Sequence, residues 1–118
     1  MKYFYLIIFI IIPILTFSQS KTANDTIVRG QNLFNQKCRA CHDLDHNIIG
    51  TPLRNIHLKH TDLWLYKWIK SSTKLIESGD SAAVNIFKKY YQIVDPDSDL
   101  KDEEINEIIL YLKSTAKN

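Results

Sequence analysis

Apolar side chains fall along this chain in two different manners. From Tyr3 to Phe17 they run almost unbroken, with Pro13 and Thr16 the interruptions, whereas beyond residue 20 they recur every third or fourth position. The second manner is the pattern of amphipathic helices. It predicts a first helix from about Thr26 to Lys37, capped by Asn24 or Asp25, with Ile27, Gly30 and Phe34 on one face. Thr61 caps a second helix, on which Leu65, Trp68 and Ile69 share a face. Gly79-Asp80-Ser81 stops one element and opens another, where Ala82, Ala83, Ile86, Phe87 and Tyr90 repeat at helical spacing. Asp95-Pro96-Asp97-Ser98-Asp99 reads as a turn. A last helix, about Asp102 to Ser114, carries Ile105, Ile108, Ile109 and Leu112 on one stripe, with Asp102, Glu103 and Glu104 at its positive end. Periodicity is lost from Asp43 to about His60, around Gly50-Thr51-Pro52-Leu53. No segment alternates as a strand does, so the expected fold is all-α.

The unbroken run belongs to a leader. Lys2 supplies a positive start, the apolar run follows, and small polar residues end it, which is the layout of a secretory signal peptide. Cleavage after Ser18 or Ser20 suits that layout. The run is short for a membrane span and Pro13 breaks it, yet an uncleaved anchor is the competing reading. No cysteine stands near its end, so a lipid has no attachment residue. Residues 1–20 are thus read as leader and 21–118 as one domain, just large enough for a core of its own. The formal net charge is +2, and without Lys2 the remainder holds 14 basic against 13 acidic side chains. Such a balance excludes the concentrated basic face of a nucleic-acid binder. The acidic run from Asp95 to Glu104 reads as a turn plus a complement to the helix dipole.

The candidate chemistry sits directly after the first helix, in Cys38-Arg39-Ala40-Cys41-His42. An uninterrupted C-x-x-C-H reads as a c-type haem attachment site. Two thiols three positions apart can each add to one of the two vinyl groups of the same porphyrin. The adjacent histidine then falls under the iron and can supply its proximal nitrogen. These are the only two cysteines in the chain. A thioredoxin-like dithiol would call for a βαβ context, which the pattern lacks, and a zinc site would need further ligands. Export through the leader and a haem attachment motif both point to the far side of a bacterial membrane.

In order and spacing these landmarks resemble the small monohaem cytochromes c of class I, over essentially all of residues 21–118. Gly30-x-x-Leu33-Phe34 looks like that family's N-terminal helix, where the glycine lets the C-terminal helix cross closely. Glu103-Glu104-Ile105 through Tyr111-Leu112 looks like its partner, with Tyr111 in the aromatic position. The stretch from Trp64 through Ser78-Gly79-Asp80 to Ala83 is similar to a subgroup of bacterial members. The resemblance implies a helical domain wrapped around one covalently attached haem c, with an electron-transfer role. Three departures stand out. Thr51 occupies the place of a proline whose carbonyl orients the proximal histidine, with Pro52 one residue later, and a backbone carbonyl can still accept that bond. Lys101 follows Leu100 where the family has a capping Ser or Thr, so Asp99 or Asp102 is expected to cap. Val94 stands where the family's distal methionine is found, and the chain's single methionine is Met1.

The sixth side of the iron therefore has three readings. A histidine can substitute, with His57 and His60 as weak candidates; both are expected nearer the propionate edge, and His46 lies only four residues past His42. Lys88, Lys89, Tyr90 or Tyr91 can reach in from nearby in sequence. Or the position is open, in a pocket partly lined by Val94, and takes carbon monoxide, nitric oxide or peroxide. Trp64 and Trp68 read as core residues, and Lys59, Lys67, Lys70, Lys88 and Lys89 as solvated charges. The expectation is an electron carrier rather than an enzyme. It is a monomer in the periplasm or on the outer face of the cytoplasmic membrane, exchanging electrons with redox partner proteins. It touches the membrane only if the leader is kept. The alternative is a small-ligand-binding or weakly peroxidatic haem protein.

Overall fold

The structure, a computed structural model, describes residues 22–90 and 97–118. Within them the regular elements are α1 (Ala23–Lys37), α2 (Asp62–Lys70), α3 (Ser72–Glu77), α4 (Ser81–Lys89) and α5 (Asp102–Ser114), with a 3-10 turn at Ile56–Leu58. No strand occurs among the described residues, as the patterning leads one to expect. None of their helices is long and apolar enough to cross a membrane. The leader and Val94 lie outside the described residues.

Caps set the helix boundaries, and two of them differ from expectation. Helix α1 starts at Ala23 because the Thr22 hydroxyl accepts the Asp25 N–H at 3.2 Å. Asn24 and Asp25 therefore fall inside the first turn, where the Asp25 charge complements the helix dipole. Thr61 caps α2 as expected, accepting from the Trp64 N–H at 3.2 Å. Ser71 then takes an extended conformation that ends α2, and its hydroxyl accepts from Lys74 N–H to open α3. Gly79, at φ 79°, turns the chain in the left-handed region where a side chain would be strained, and Asp80 caps α4 through the Ala83 N–H at 2.9 Å. Helix α5 has the expected bounds but another cap. Neither Asp99 nor Asp102 caps it; the Glu104 carboxylate reaches back to the Lys101 N–H at 2.8 Å. Asp102 instead accepts from the Tyr66 hydroxyl at 2.8 Å and the Lys70 ammonium at 3.1 Å.

The core lies where α1 crosses α5. A Cβ on Gly30 would come within 2.0 Å of the Glu107 carbonyl oxygen and 3.0 Å of the Tyr111 Cβ, so the two backbones meet there. One turn on, the Phe34 and Tyr111 rings pack at 5.4 Å between centroids. Ile105, Ile108, Ile109 and Leu112 extend this cluster to Leu65 of α2 and to Ile56. Glu107 is buried beside the crossing, where the Arg29 guanidinium pairs with it at 3.2 Å. Helix α1 is thereby held along its length, which fixes the direction in which its C-terminus points.

Candidate haem site

Cys38 is the residue that ends α1, and helical hydrogen bonding continues through the motif. Cys38 N–H and Arg39 N–H both donate to the Phe34 carbonyl, and Cys41 N–H and His42 N–H both donate to that of Cys38. The motif is thus a turn locked onto the end of a packed helix. Neither cysteine is in a disulfide, both are half-buried, and Cys38 packs against the core.

After His42 the chain makes a loop that folds back under it. The Gly50 N–H donates to the Cys41 carbonyl at 2.8 Å, the Leu53 N–H to Asp43 at 3.0 Å and the Arg54 N–H to Leu44 at 2.8 Å. The return brings the Thr51 carbonyl to 2.9 Å from His42 Nδ1. A carbonyl only accepts, so Nδ1 carries the proton, and in a neutral imidazole Nε2 is then the lone-pair nitrogen. Pro52 is not needed for this bond, because the carbonyl belongs to the residue that replaces the family's proline. Gly50 makes the approach possible: a Cβ there would lie 2.3 Å from His42 Cε1 and 2.7 Å from Nδ1.

The other sequence candidates are dispersed. His46 donates from its backbone and approaches with Nδ1 the same Asp43 oxygen, at 3.0 Å each, and its ring faces solvent. Together with the Asp45 N–H, these bonds hold the Asp43 carboxyl down at about 2. His57 sits in the 3-10 turn with Nδ1 shut off from solvent and without a hydrogen-bond partner among the described residues. His60 stacks on Trp64 at 3.8 Å, and Trp64 on Trp68 at 5.2 Å, forming a ladder of rings four residues apart. Burial lowers the His60 pKa, opposed by the charge of Asp80. Trp64 is more than a core residue: it donates through Nε1 to Asp80 at 3.0 Å, which helps hold that carboxyl below its usual range. Lys88 and Lys89 are exposed on the last turn of α4, and the Tyr90 hydroxyl reaches toward Asn47 at 3.5 Å. Tyr91 and Val94 lie outside the described residues.

What sequence reasoning missed is the support behind the loop. The Arg54 guanidinium binds the Asp45 carboxylate through two nitrogens and the Thr115 carbonyl through a third. The arrangement suits a c-type haem on two local grounds. The lone-pair nitrogen of His42 is set by a backbone acceptor, as in histidines that bind metals. The two cysteines, neither of them in a disulfide, stand half-buried and three positions apart on the turn that ends α1.

Comparison with known proteins settles the family. The cytochrome c family model matches residues 27–116. The chain belongs to the cytochrome c family. That family carries haem c covalently, so the cofactor is haem c and the chain is a haem electron-transfer protein. Among solved structures, a cytochrome c from Rhodothermus marinus superposes with a TM-score of 0.72 at 23% identity, covering 78% of each chain. An engineered cytochrome c from the same organism gives 0.74 at 26% identity, over 80% of this chain and 81% of that one. A cytochrome c domain from Pseudomonas putida gives 0.63 at 23% identity, over 72% and 85%. A search among curated proteins gave no match. These likenesses establish the shared fold, and the all-α expectation agrees with it.

Proposed function

We propose that the chain is an exported monohaem cytochrome c that shuttles single electrons between redox partner proteins outside the cytoplasmic membrane. Cys38 and Cys41 hold the haem through thioether bonds and His42 is its proximal ligand. The observation that carries this reading is the 2.9 Å contact between His42 Nδ1 and the Thr51 carbonyl, which orients the ring and leaves Nε2 as the nitrogen with a lone pair to offer a metal. The haem supplies a one-electron iron couple when bound. The chain's part is to anchor, orient and tune. The turn after α1 holds the two thiols three positions apart, and the Thr51 carbonyl raises the basicity of the imidazole by accepting a hydrogen bond from its Nδ1–H. The leader at residues 1–20 supports export, and the balance of charge beyond it supports protein partners over nucleic acid.

A second reading has one specific observation in its favour: the chain holds no methionine besides Met1. On that reading the sixth position is open and takes a small ligand. Ferrous protein exposed to carbon monoxide separates the two. An unchanged low-spin spectrum supports the carrier, and a shifted Soret band the open site. His42→Ala tests the proximal assignment. Loss of the low-spin spectrum and a lower melting temperature are expected, and a variant with native spectrum and stability overturns it.

A further inference from the structure

We propose that Arg54 is a positioning residue for the haem's proximal side: it ties the loop behind His42 to the tail of α5, so that this tail governs the bond between Thr51 and His42. The proposal rests on the reading of His42 as proximal ligand. Its basis is a cluster of five hydrogen bonds made by two consecutive residues. The Arg54 side chain is 17% exposed and lies with its fork against both oxygens of Asp45, the Nη2 to Oδ2 distance being 2.8 Å. Its remaining nitrogen, Nη1, donates to the carbonyl of Thr115, the residue that ends α5. Asn55 repeats the grip on the tail, donating through Nδ2 to the Lys117 carbonyl at 2.9 Å and accepting the Lys117 N–H at 3.1 Å. It does so from a left-handed backbone at φ 61°, which asparagine tolerates better than most residues.

Each contact has a physical reason. The last carbonyls of a helix lack partners within it and carry the negative end of its dipole, so a guanidinium there is well placed. The planar fork matches a carboxylate with two parallel bonds, which an ammonium cannot reproduce. Mutual support shows in both groups: Asp45 is held below the usual carboxylate range chiefly by Arg54, and Arg54 is raised chiefly by Asp45. Thr51 stands three residues before this knot, and the loop there has no slack. Gly50 already approaches the His42 ring so closely that an added Cβ would be 2.3 Å from it. Asp45, Arg54 and Thr115 thus clamp the loop from both sides. Releasing the clamp lets the Thr51 carbonyl drift from Nδ1. A weaker bond lowers the basicity of the imidazole, and ferric iron loses more than ferrous iron does.

The test uses the haem-loaded full chain with Arg54→Ala, Arg54→Lys and Asp45→Asn. Two readouts separate positioning from mere stapling: the reduction potential, and the solvent exchange of the His42 Nδ1 proton followed by NMR. Arg54→Ala is expected to favour the ferrous form about three- to tenfold, a tenfold change being about 59 mV for one electron. It is also expected to speed exchange about tenfold or more. Arg54→Lys should fall between the alanine variant and the parent. Should Arg54→Ala fail to fold, Asp45→Asn carries the test, because that carboxylate is half-exposed and lies outside the core. A fall in melting temperature with both readouts unchanged overturns the proposal. A parent protein with no iron-shifted His42 resonance overturns the proximal reading itself, and the proposal with it.

Discussion

Gly50→Ala is the most direct test of the proximal geometry. The new methyl would lie 2.3 Å from His42 Cε1, 2.7 Å from Nδ1 and 3.0 Å from Nε2, three atoms of one ring. Ordinary carbon contacts fall at about 3.5–4.0 Å, so the gap must open by about 1.2 Å. Retreat of the loop by that amount would carry the neighbouring Thr51 carbonyl from 2.9 Å to about 4 Å, past hydrogen-bonding range. Rotation of the ring would break the same bond and swing Nε2 out of the orientation that the Thr51 carbonyl sets. Overpacking of this kind costs about 1–3 kcal/mol, and the lost bond about 1 kcal/mol more. Against this, alanine restricts the unfolded chain and returns about 0.4–1 kcal/mol. The clash wins, by about 1–3 kcal/mol net. For a domain of this size that is a melting temperature lower by about 5–20 °C. The assay is thermal unfolding of the haem-loaded protein followed by its Soret band, with the reduction potential measured alongside. A melting temperature within about 2 °C of the parent, with the same potential, would refute the reasoning.

Two further perturbations probe the frame around the site. Gly30→Ala gains about 1 kcal/mol of helix propensity, but its methyl would sit 2.0 Å from the Glu107 oxygen and 2.6 Å from its carbon, both backbone. Helices α1 and α5 must then separate, and because the obstacle is backbone the cost lies near the upper end of about 1–3 kcal/mol, so a net loss of about 2 kcal/mol is expected in chemical denaturation; a variant as stable as the parent would sink this account of the crossing. Acid should weaken the loop through Asp43. Its folded pKa of about 2 lies below the unfolded value of about 3.9, so between them the unfolded chain binds more protons and stability falls as pH drops. Asp43→Asn should flatten that limb in denaturation midpoints taken from about pH 6 to about pH 2. An identical acid limb in the variant would count against the bonds assigned to this carboxylate.

Elements governed by local chemistry were legible in the sequence, and those governed by distant partners were not. The bounds of α5 followed from an apolar stripe opened by three acidic residues, whereas its crossing with α1 was implied by the resemblance that Gly30, Phe34 and Tyr111 carry, and the structure shows it. The start of α1 was missed because Thr22, Asn24 and Asp25 are all competent caps, and only the backbone decides among them. The break at Ser71 was missed for a related reason. No glycine or proline marks it, and a serine hydroxyl that captures a nearby N–H leaves no periodic trace. The loop between His42 and the 3-10 turn is held by bonds to residues as far as 62 positions away. Nothing in the spacing of Asp45, Arg54 and Asn55 announces the tail of α5 as their partner. The carbonyl on His42 was foreseeable because it is backbone, and a side-chain change at Thr51 leaves it in place.

The two terminal helices therefore reach His42 by different routes. Helix α1 delivers it directly, since the turn that carries Cys38, Cys41 and His42 is bonded to the Phe34 carbonyl, and Phe34 is pinned by Tyr111. Helix α5 reaches it from behind, through Thr115, Arg54 and the loop that ends at Thr51. Because α1 and α5 are locked backbone to backbone at Gly30, the start and the end of the proximal loop hang from one rigid unit. A loop fixed at both ends keeps its carbonyl on the imidazole without the stiffness of a proline at position 51. Motion that opens this bond must either unpack the helix crossing or undo the Arg54 knot. If His42 holds the iron as proposed, tuning from this side is a property of the whole terminal-helix frame, in which Arg54 and Asn55 are links to the tail of α5 that a substitution can cut while sparing the core.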